Sequence, residues 1–194
     1  IQAFQGLIRQ ILTEGEERID LWRIRLETAL GLHAKIIGDQ IPELRLIIGE
    51  QPEVAQLDLE ESHNRFTLVF RNFMSVFAKP EHPLVVFLDD LQWADSASLT
   101  LLATVLSDRN MRSLLLLGAI REGPTVDSLL DQTVSTLQTA GVAVSTLSLG
   151  PLEPDAVGEY LANFLRVRNR RQQTFAEIVY EKTLGNPFFI NQFI

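Results

Sequence analysis

The chain has 194 residues, of which 46% are hydrophobic and 22% charged, enough for one α/β domain or a domain with a small lid and ordinary for a soluble globular protein. Its net charge of −8 argues against unaided nucleic-acid binding, which needs a basic surface. With no cysteine there is no disulfide framework and no thiolate metal site, which fits a reducing cytosol, the expected location. No apolar run approaches the roughly 18 residues that span a bilayer.

The opening IQAFQGLIRQIL has no initiator Met and no basic leader, and reads as the interior of a longer protein. Residues 1–13 and 16–30 have helical spacing. Phe4, Leu7, Ile8, Ile11 and Leu12 share one face, as do Ile19, Trp22, Leu26 and Leu30. Gly15 breaks the two. The stretch 31–61, with Pro42, Gly49 and Pro52, predicts short helices around 34–48 and then an acidic loop. Residues 62–78 give the clearest helix, with Phe66, Val69, Phe70, Phe73, Val76 and Phe77 at spacings of three and four. Pro80 and Pro83 end it.

Leu84 to Leu88, five apolar residues running into Asp89 and Asp90, predict a strand buried on both faces, as in a parallel α/β sheet. Such strands place ligands at their carboxyl ends. Two carboxylates there are costly unless a cation or donors meet them, and a Mg²⁺ ion carried by a nucleotide would do so. Acids after strands also occur in plain loops that cap a following helix, and Asp95-Ser96 has that form before a helix at 96–107.

A second strand follows at 113–120, ending at Arg121-Glu122. Thr125–Ala140 predicts a helix closed by Gly141, and residues 142–149, VAVSTLSL, a third strand with one face less buried. Gly150-Pro151 marks a boundary. Helices are predicted beyond it, roughly at 153–166, 171–184 and 187–194. Strand–helix alternation followed by helices gives an α/β core at 1–150 and the start of a helical lid at 151–194.

The string LDDLQWAD at 88–95 resembles the Walker B segment of P-loop ATPases of the AAA/STAND type, in the branch found inside large bacterial signalling proteins. The resemblance implies a P-loop NTPase parallel sheet with flanking helices, ATP and Mg²⁺ as cofactors, and roles for both acids. Asp89 would hold Mg²⁺ through water, and Asp90 would help to polarise the attacking water or order the site. LLLLGAIRE at 114–122 matches the next strand of these ATPases and puts Arg121 at the position that reads the γ-phosphate, where a guanidinium fork suits phosphate oxygens. A surface Arg paired with Glu122 or another acid is the plainer alternative. TLGNPFFINQFI at 183–194 resembles the GNPFF segment of the lid, which makes Asn186 and Pro187 the expected nucleotide-binding pair, with Pro187 near the adenine. Gly185 ending one helix, Asn186 capping the next and Pro187 in its first turn explain the same residues without a nucleotide.

FQGLIRQILTEGEERIDLWR, IPELRLIIGEQP and ESHNRF resemble the ATPase region of very large cyanobacterial-type sensor proteins. Those combine a serine/threonine-kinase-like domain, this ATPase, sensing domains and a histidine kinase. The function implied is a regulatory ATP-hydrolysing module in a signal-transduction kinase. Its partners would be nucleotide and neighbouring kinase or sensor domains, with self-association possible. The alternatives are a non-catalytic scaffold or an ATP-dependent transcription regulator. No kinase glycine loop or H-R-D segment occurs in the chain.

A P-loop, G-x-x-x-x-G-K-[ST], is absent. The lysines are Lys35, Lys79 and Lys182, and none follows a glycine. The resemblance puts that loop upstream of residue 1 on a strand beside 114–120, so truncation is the expected reason, leaving the fragment inactive alone and its sheet edge open. The remaining features read as structural. Arg166, Arg168, Arg170 and Arg171 form a solvated loop, His33, His63 and His82 lack metal-ligand spacing, and Trp22 and Trp93 are packing residues.

Overall fold

The computed structural model describes residues 1–121, 128–166 and 170–194. The first part of the predicted helix at 125–140 therefore lies outside the described residues, as do Glu122 and Arg168. Two compact units are present, Ile1–Val144 and Ser145–Ile194, and each is described by itself.

In the first unit, helices α1 (Gln2–Ile11), α2 (Glu16–Leu30), α3 (Ala34–Gln40), α4 (Arg45–Ile48) and α5 (Leu59–Phe77) precede the first strand. Phe4, Ile8 and Ile11 of α1 turn one face inward. Gly15 caps α2, whose first turn carries Glu16 and Glu17, where the helix dipole favours negative charge. Helix α5 organises the core. Asp58 accepts from the Glu61 N–H at 2.8 Å and starts the helix three residues before the predicted 62. Its Val69, Phe70, Phe73, Met74, Val76 and Phe77 are buried. Phe73 meets Phe4 and Phe77 edge-on at centroid distances of 5.2 and 5.1 Å, and Trp22 stacks on Phe77 at 5.5 Å. Trp22 is a packing residue, as its helical spacing implies. Beyond α5 the chain reverses tightly. Lys79 and His82 bridge, and the His82 ring nitrogen lies 2.8 Å from the Phe77 carbonyl oxygen. This turn feeds Pro83 into the sheet.

Strands β1 (Leu84–Leu88) and β2 (Leu114–Gly118) pair in parallel, with Leu84 opposite Leu114 and Leu88 opposite Gly118. Helix α6 (Ser96–Leu106) lies between them in sequence, and α7 (Ser128–Thr139) packs on α6. Leu84, Val86 and Leu114 pack against the helical core. On the other face Val85, Phe87, Leu115 and Leu117 are 47–62% exposed. The expectation of a strand buried on both faces is therefore corrected. One face is covered by the core of which α5 is the centre, and among the described residues nothing comparable covers the other.

Residues 142–149 are a second correction, because no strand forms there. Leu147 and Leu149 are over 80% exposed. An alternating sequence supplies a face, but a strand also needs a ladder partner for its N–H and C=O groups. Here β1 and β2 pair only with each other among the described residues.

The second unit contains α8 (Pro154–Leu165), α9 (Arg170–Thr183) and α10 (Pro187–Phe193). Val157, Leu161, Ala176, Val179 and Ile190 close a small core of their own. Gln172 donates to the Gly158 carbonyl at 2.7 Å and ties α9 to α8. Arg166, which ends α8 in a left-handed conformation, is exposed, as is Arg171.

Candidate functional site

Parallel pairing brings the carboxyl ends of β1 and β2 to the same end of the sheet, where α/β folds bind ligands. Backbone bonds prolong the pairing beyond the ladder. The Ala119 N–H donates to the Leu88 carbonyl at 2.8 Å, and the Leu91 N–H donates to the Ala119 carbonyl at 2.9 Å. Leu91 lies over Gly118, where an added Cβ would sit 2.5 Å from the Leu91 side chain. The glycine in LLLLGAI is thus the gap that lets the loop after β1 close over β2.

Between these anchors the chain turns at Asp90, a left-handed residue with φ 54°. Such a conformation is uncommon outside glycine, but Asp and Asn tolerate it best. The turn leads into a short 3₁₀ segment, Leu91–Trp93. Asp89 accepts the Asp90 N–H on Oδ1 at 2.9 Å. Its other oxygen has no hydrogen bond among the described residues.

Asp90 is the centre of a polar cluster. Its Oδ1 accepts from Gln92 Nε2 at 2.8 Å and from Arg121 Nε at 3.2 Å. The Arg121 N–H in turn donates to Gln92 Oε1 at 3.3 Å. Asp90, Gln92 and Arg121 thus close a small ring of contacts across the two strand ends. The acids are not the buried pair expected from the sequence. Asp89 is exposed, and the Asp90 and Arg121 side chains retain 40% and 82% of their exposure. Burial of both acids would require cover on both sheet faces, and among the described residues one face is left exposed. Solvent screens an ion pair at such exposure, so Asp90–Arg121 positions these groups more than it stabilises the fold.

The other predicted residues of the string separate from this cluster. Asp95 accepts from the Ser98 N–H at 2.7 Å and caps α6. The Ser98 backbone bond, and then its side chain, hold the Asp95 carboxyl below its usual range. Trp93 is 82% exposed, so the expected packing role is corrected. Its segment is the short 3₁₀ turn that follows Asp90.

Asn186 and Pro187 belong to the second unit. Leu184 and Gly185 both have positive φ, and the Gly185 carbonyl accepts from the Leu152 N–H at 2.8 Å. A Cβ on Gly185 would fall 2.0 Å from the Leu152 carbonyl oxygen, so the position accepts only glycine. Asn186 accepts from the Phe188 N–H at 2.9 Å, and Pro187 occupies the first turn of α10. These are the capping roles that the sequence allows without a nucleotide. Phe188 and Phe189 remain more than half exposed beside them.

The donor set at the strand ends fits Mg²⁺ better than it fits the phosphates of ATP. One free carboxylate beside a second that is held by donors suits a hydrated Mg²⁺, which takes one or two carboxylates and otherwise waters and phosphates. Among the described residues no group of three or more His, Asp or Glu side chains converges as a metal site. The phosphate side does not fit within these residues, since the sequence has no G-x-x-x-x-G-K-[ST]. The residue that sequence reasoning overlooked is Gln92, inside the quoted string but given no role. The available signal was its position, two residues beyond a strand-ending acid, where a turn folds its amide back onto that acid.

No helix among the described residues is long and apolar enough to cross a membrane. Two curated relatives share this segment. Hybrid signal transduction histidine kinase G of Dictyostelium discoideum is 40% identical over 102 residues, covering 53% of this chain and 3% of that protein. Histidine protein kinase 1 of Candida albicans is 28% identical over 119 residues, covering 55% of this chain and 5% of that protein. The chain thus spans only a few per cent of the length of these relatives. No solved structure matches significantly. The family described as AAA ATPase domain matches residues 1–117, a span that includes the helical core, β1, both acids and most of β2. On that match the chain belongs to the AAA ATPase domain family.

Proposed function

We propose that this chain carries the cation-holding and phosphate-sensing side of a regulatory ATPase module within a multidomain signal-transduction kinase. The carrying observation is the juxtaposition at the strand ends. Asp89 keeps one carboxylate oxygen free at the end of β1, and Asp90 holds Arg121 from the end of β2. Family membership and the kinase names of the relatives support this reading.

In this reading Asp89 holds Mg²⁺ through water, as a Walker B acid of the AAA/STAND type. Asp90 orders the attacking water, and Arg121 meets the γ-phosphate. Bound Mg²⁺ would supply charge neutralisation at the phosphates. The phosphate cradle comes from a P-loop strand outside these 194 residues, seated beside β2 so that residues 142–149 gain the partner they lack. The helices from α8 onward act as a lid, with Pro187 near the adenine and Asn186 binding nucleotide beside it, and lid movement passes nucleotide state to kinase or sensor domains. A scaffold reading has one observation in its favour, the exposed apolar sheet face of Val85, Phe87, Leu115 and Leu117. Unlike the ATPase reading, it gives Asp89 no task.

The test is ATP turnover in the full-length protein. Asp89→Asn abolishes hydrolysis with the fold retained, while Asp90→Asn lowers turnover more than it weakens ATP binding. Wild-type turnover in both variants would remove the Walker B assignment. The 194-residue sequence has no G-x-x-x-x-G-K-[ST] to cradle phosphates and is expected not to bind ATP·Mg²⁺ tightly by calorimetry. Micromolar affinity there would mean that the phosphate site lies elsewhere.

A further inference from the structure

We propose that Gln92 is a positioning residue that keeps the Asp90 carboxylate aimed when Arg121 is drawn away. The inference rests on the ATPase reading for its purpose and on the geometry for its contacts. One oxygen of Asp90 receives both the Gln92 amide at 2.8 Å and the Arg121 guanidinium at 3.2 Å. Arg121 has two ways to be satisfied. Its side chain is 82% exposed and, among the described residues, held by one N–H contact to Asp90, so an anionic phosphate competes readily for it. Gln92 has a different position. Its two amide ends are both engaged, the N–H₂ end by Asp90 and the oxygen by the Arg121 backbone N–H.

Release of the Arg121 side chain therefore leaves both Gln92 bonds standing, because the second is to the Arg121 main chain. The backbone beneath is fixed by the Leu91 N–H on Ala119 and by the left-handed turn at Asp90. Without Gln92, departure of Arg121 would leave the Asp90 carboxylate with no side-chain donor among the described residues, free to rotate about its χ angles. With it, the carboxylate exchanges a charge partner for a neutral one and keeps its direction. A neutral amide suits the task, since a Lys or Arg at 92 would compete for the same phosphate and a carboxylate would repel Asp90.

Two variants separate the halves of this role. Gln92→Met keeps the side-chain length and removes both bonds. Gln92→Glu keeps an acceptor for the Arg121 N–H and loses the donor to Asp90. In the 194-residue chain, ¹H–¹⁵N NMR should show the Arg121 N–H and Nε–H signals both moving in Gln92→Met, with the N–H signal retained in Gln92→Glu. Unmoved Arg121 signals in both variants overturn the placement. In the full-length protein both variants should lower kcat by roughly ten- to a hundredfold, the range for losing a hydrogen bond to a charged group, with KM for ATP within about twofold. Wild-type kcat in Gln92→Glu would show that the donor to Asp90 is idle, and a loss confined to KM would make Gln92 a binding residue; either overturns the proposal. If the wild-type protein hydrolyses no ATP, the ATPase reading falls by itself, and the NMR comparison alone decides whether Gln92 positions the cluster.

Discussion

The helical half of the first unit is built from amphipathic sequence and its sheet from continuous apolar runs, and the two end in different states. In the helices, Ile8, Leu26, Ile37, Ile47 and Phe73 are all but fully buried. In the sheet, alternate residues of the same type stand in solvent, Phe87 at 62% exposure among them. The difference lies in what each element needs. Amphipathic helices present one apolar stripe and can satisfy it among themselves. A parallel sheet has two apolar faces and needs a layer on each. The cluster of Asp89, Asp90, Gln92 and Arg121 sits at the end of that half-covered sheet, which explains why its charges remain accessible.

The comparison is sharpened most by making one substitution on both sides of it. Phe73→Ala removes a ring that touches Phe4, Phe70 and Phe77 and should cost about 3–5 kcal/mol, the range for a buried Phe. Phe87→Ala removes a ring that is mostly in water and should cost about 0.5–1 kcal/mol, largely through lost strand preference. Urea denaturation read through Trp22, which stacks on Phe77, measures both. Equal losses would mean that the outer sheet face is covered in solution, for example by a second copy of the chain.

How much of this was legible in the sequence follows from the same distinction. The bounds of β1 were readable to the residue because Pro83 and the acid pair fence a five-residue apolar run. Helix α5 was readable from its period, though its first turn was missed because the Asp58 to Glu61 cap lies outside the apolar pattern. Failures came where the outcome depends on a partner. Among the described residues, 142–149 have strand alternation and no ladder neighbour, and Val85, Phe87 and the two acids lack the cover that their apolar run implied. The carboxylate pair was found because acids after an apolar run are conspicuous. Gln92 was not, since a glutamine in a turn has no signature until the fold brings β2 beside it.

A narrower break targets the second unit, where a single glycine carries the junction. Gly185→Ala imposes a Cβ 2.0 Å from the Leu152 carbonyl oxygen at a residue with φ 74°. Backbone, not a flexible side chain, is in the way, so the Leu152–Gly185 hydrogen bond must open. The expected cost is about 1–3 kcal/mol, as for a residue forced into a disfavoured backbone region. Amide hydrogen exchange should show faster exchange at Leu152 and in α10, with α5 unchanged. Wild-type protection at Leu152 would show that the junction has slack that this geometry does not display.

The smallest effect concerns Asp95, and its value is that it separates capping from catalysis within one motif. Asp95 caps α6 through the Ser98 N–H, and that bond, followed by the Ser98 side chain, holds its carboxyl below the ordinary value. A carboxyl whose pKa is lower in the folded than in the unfolded chain binds more protons when unfolded, so it adds stability as pH rises. That contribution is complete above the unfolded pKa, near 3.8 for Asp, and disappears as pH falls through the lower folded value. Asp95→Asn keeps an acceptor for Ser98 and removes the charge. It should therefore melt slightly below wild type at pH 7, and the gap should shrink as pH is lowered through about 4 and below, as the Asp protonates. Thermal melts of the two proteins across pH 2.5–7 make the comparison. A gap that does not change with pH would assign the loss to packing, and loss of ATP turnover in Asp95→Asn at unchanged melting temperature would move Asp95 from the helix cap into the reacting site.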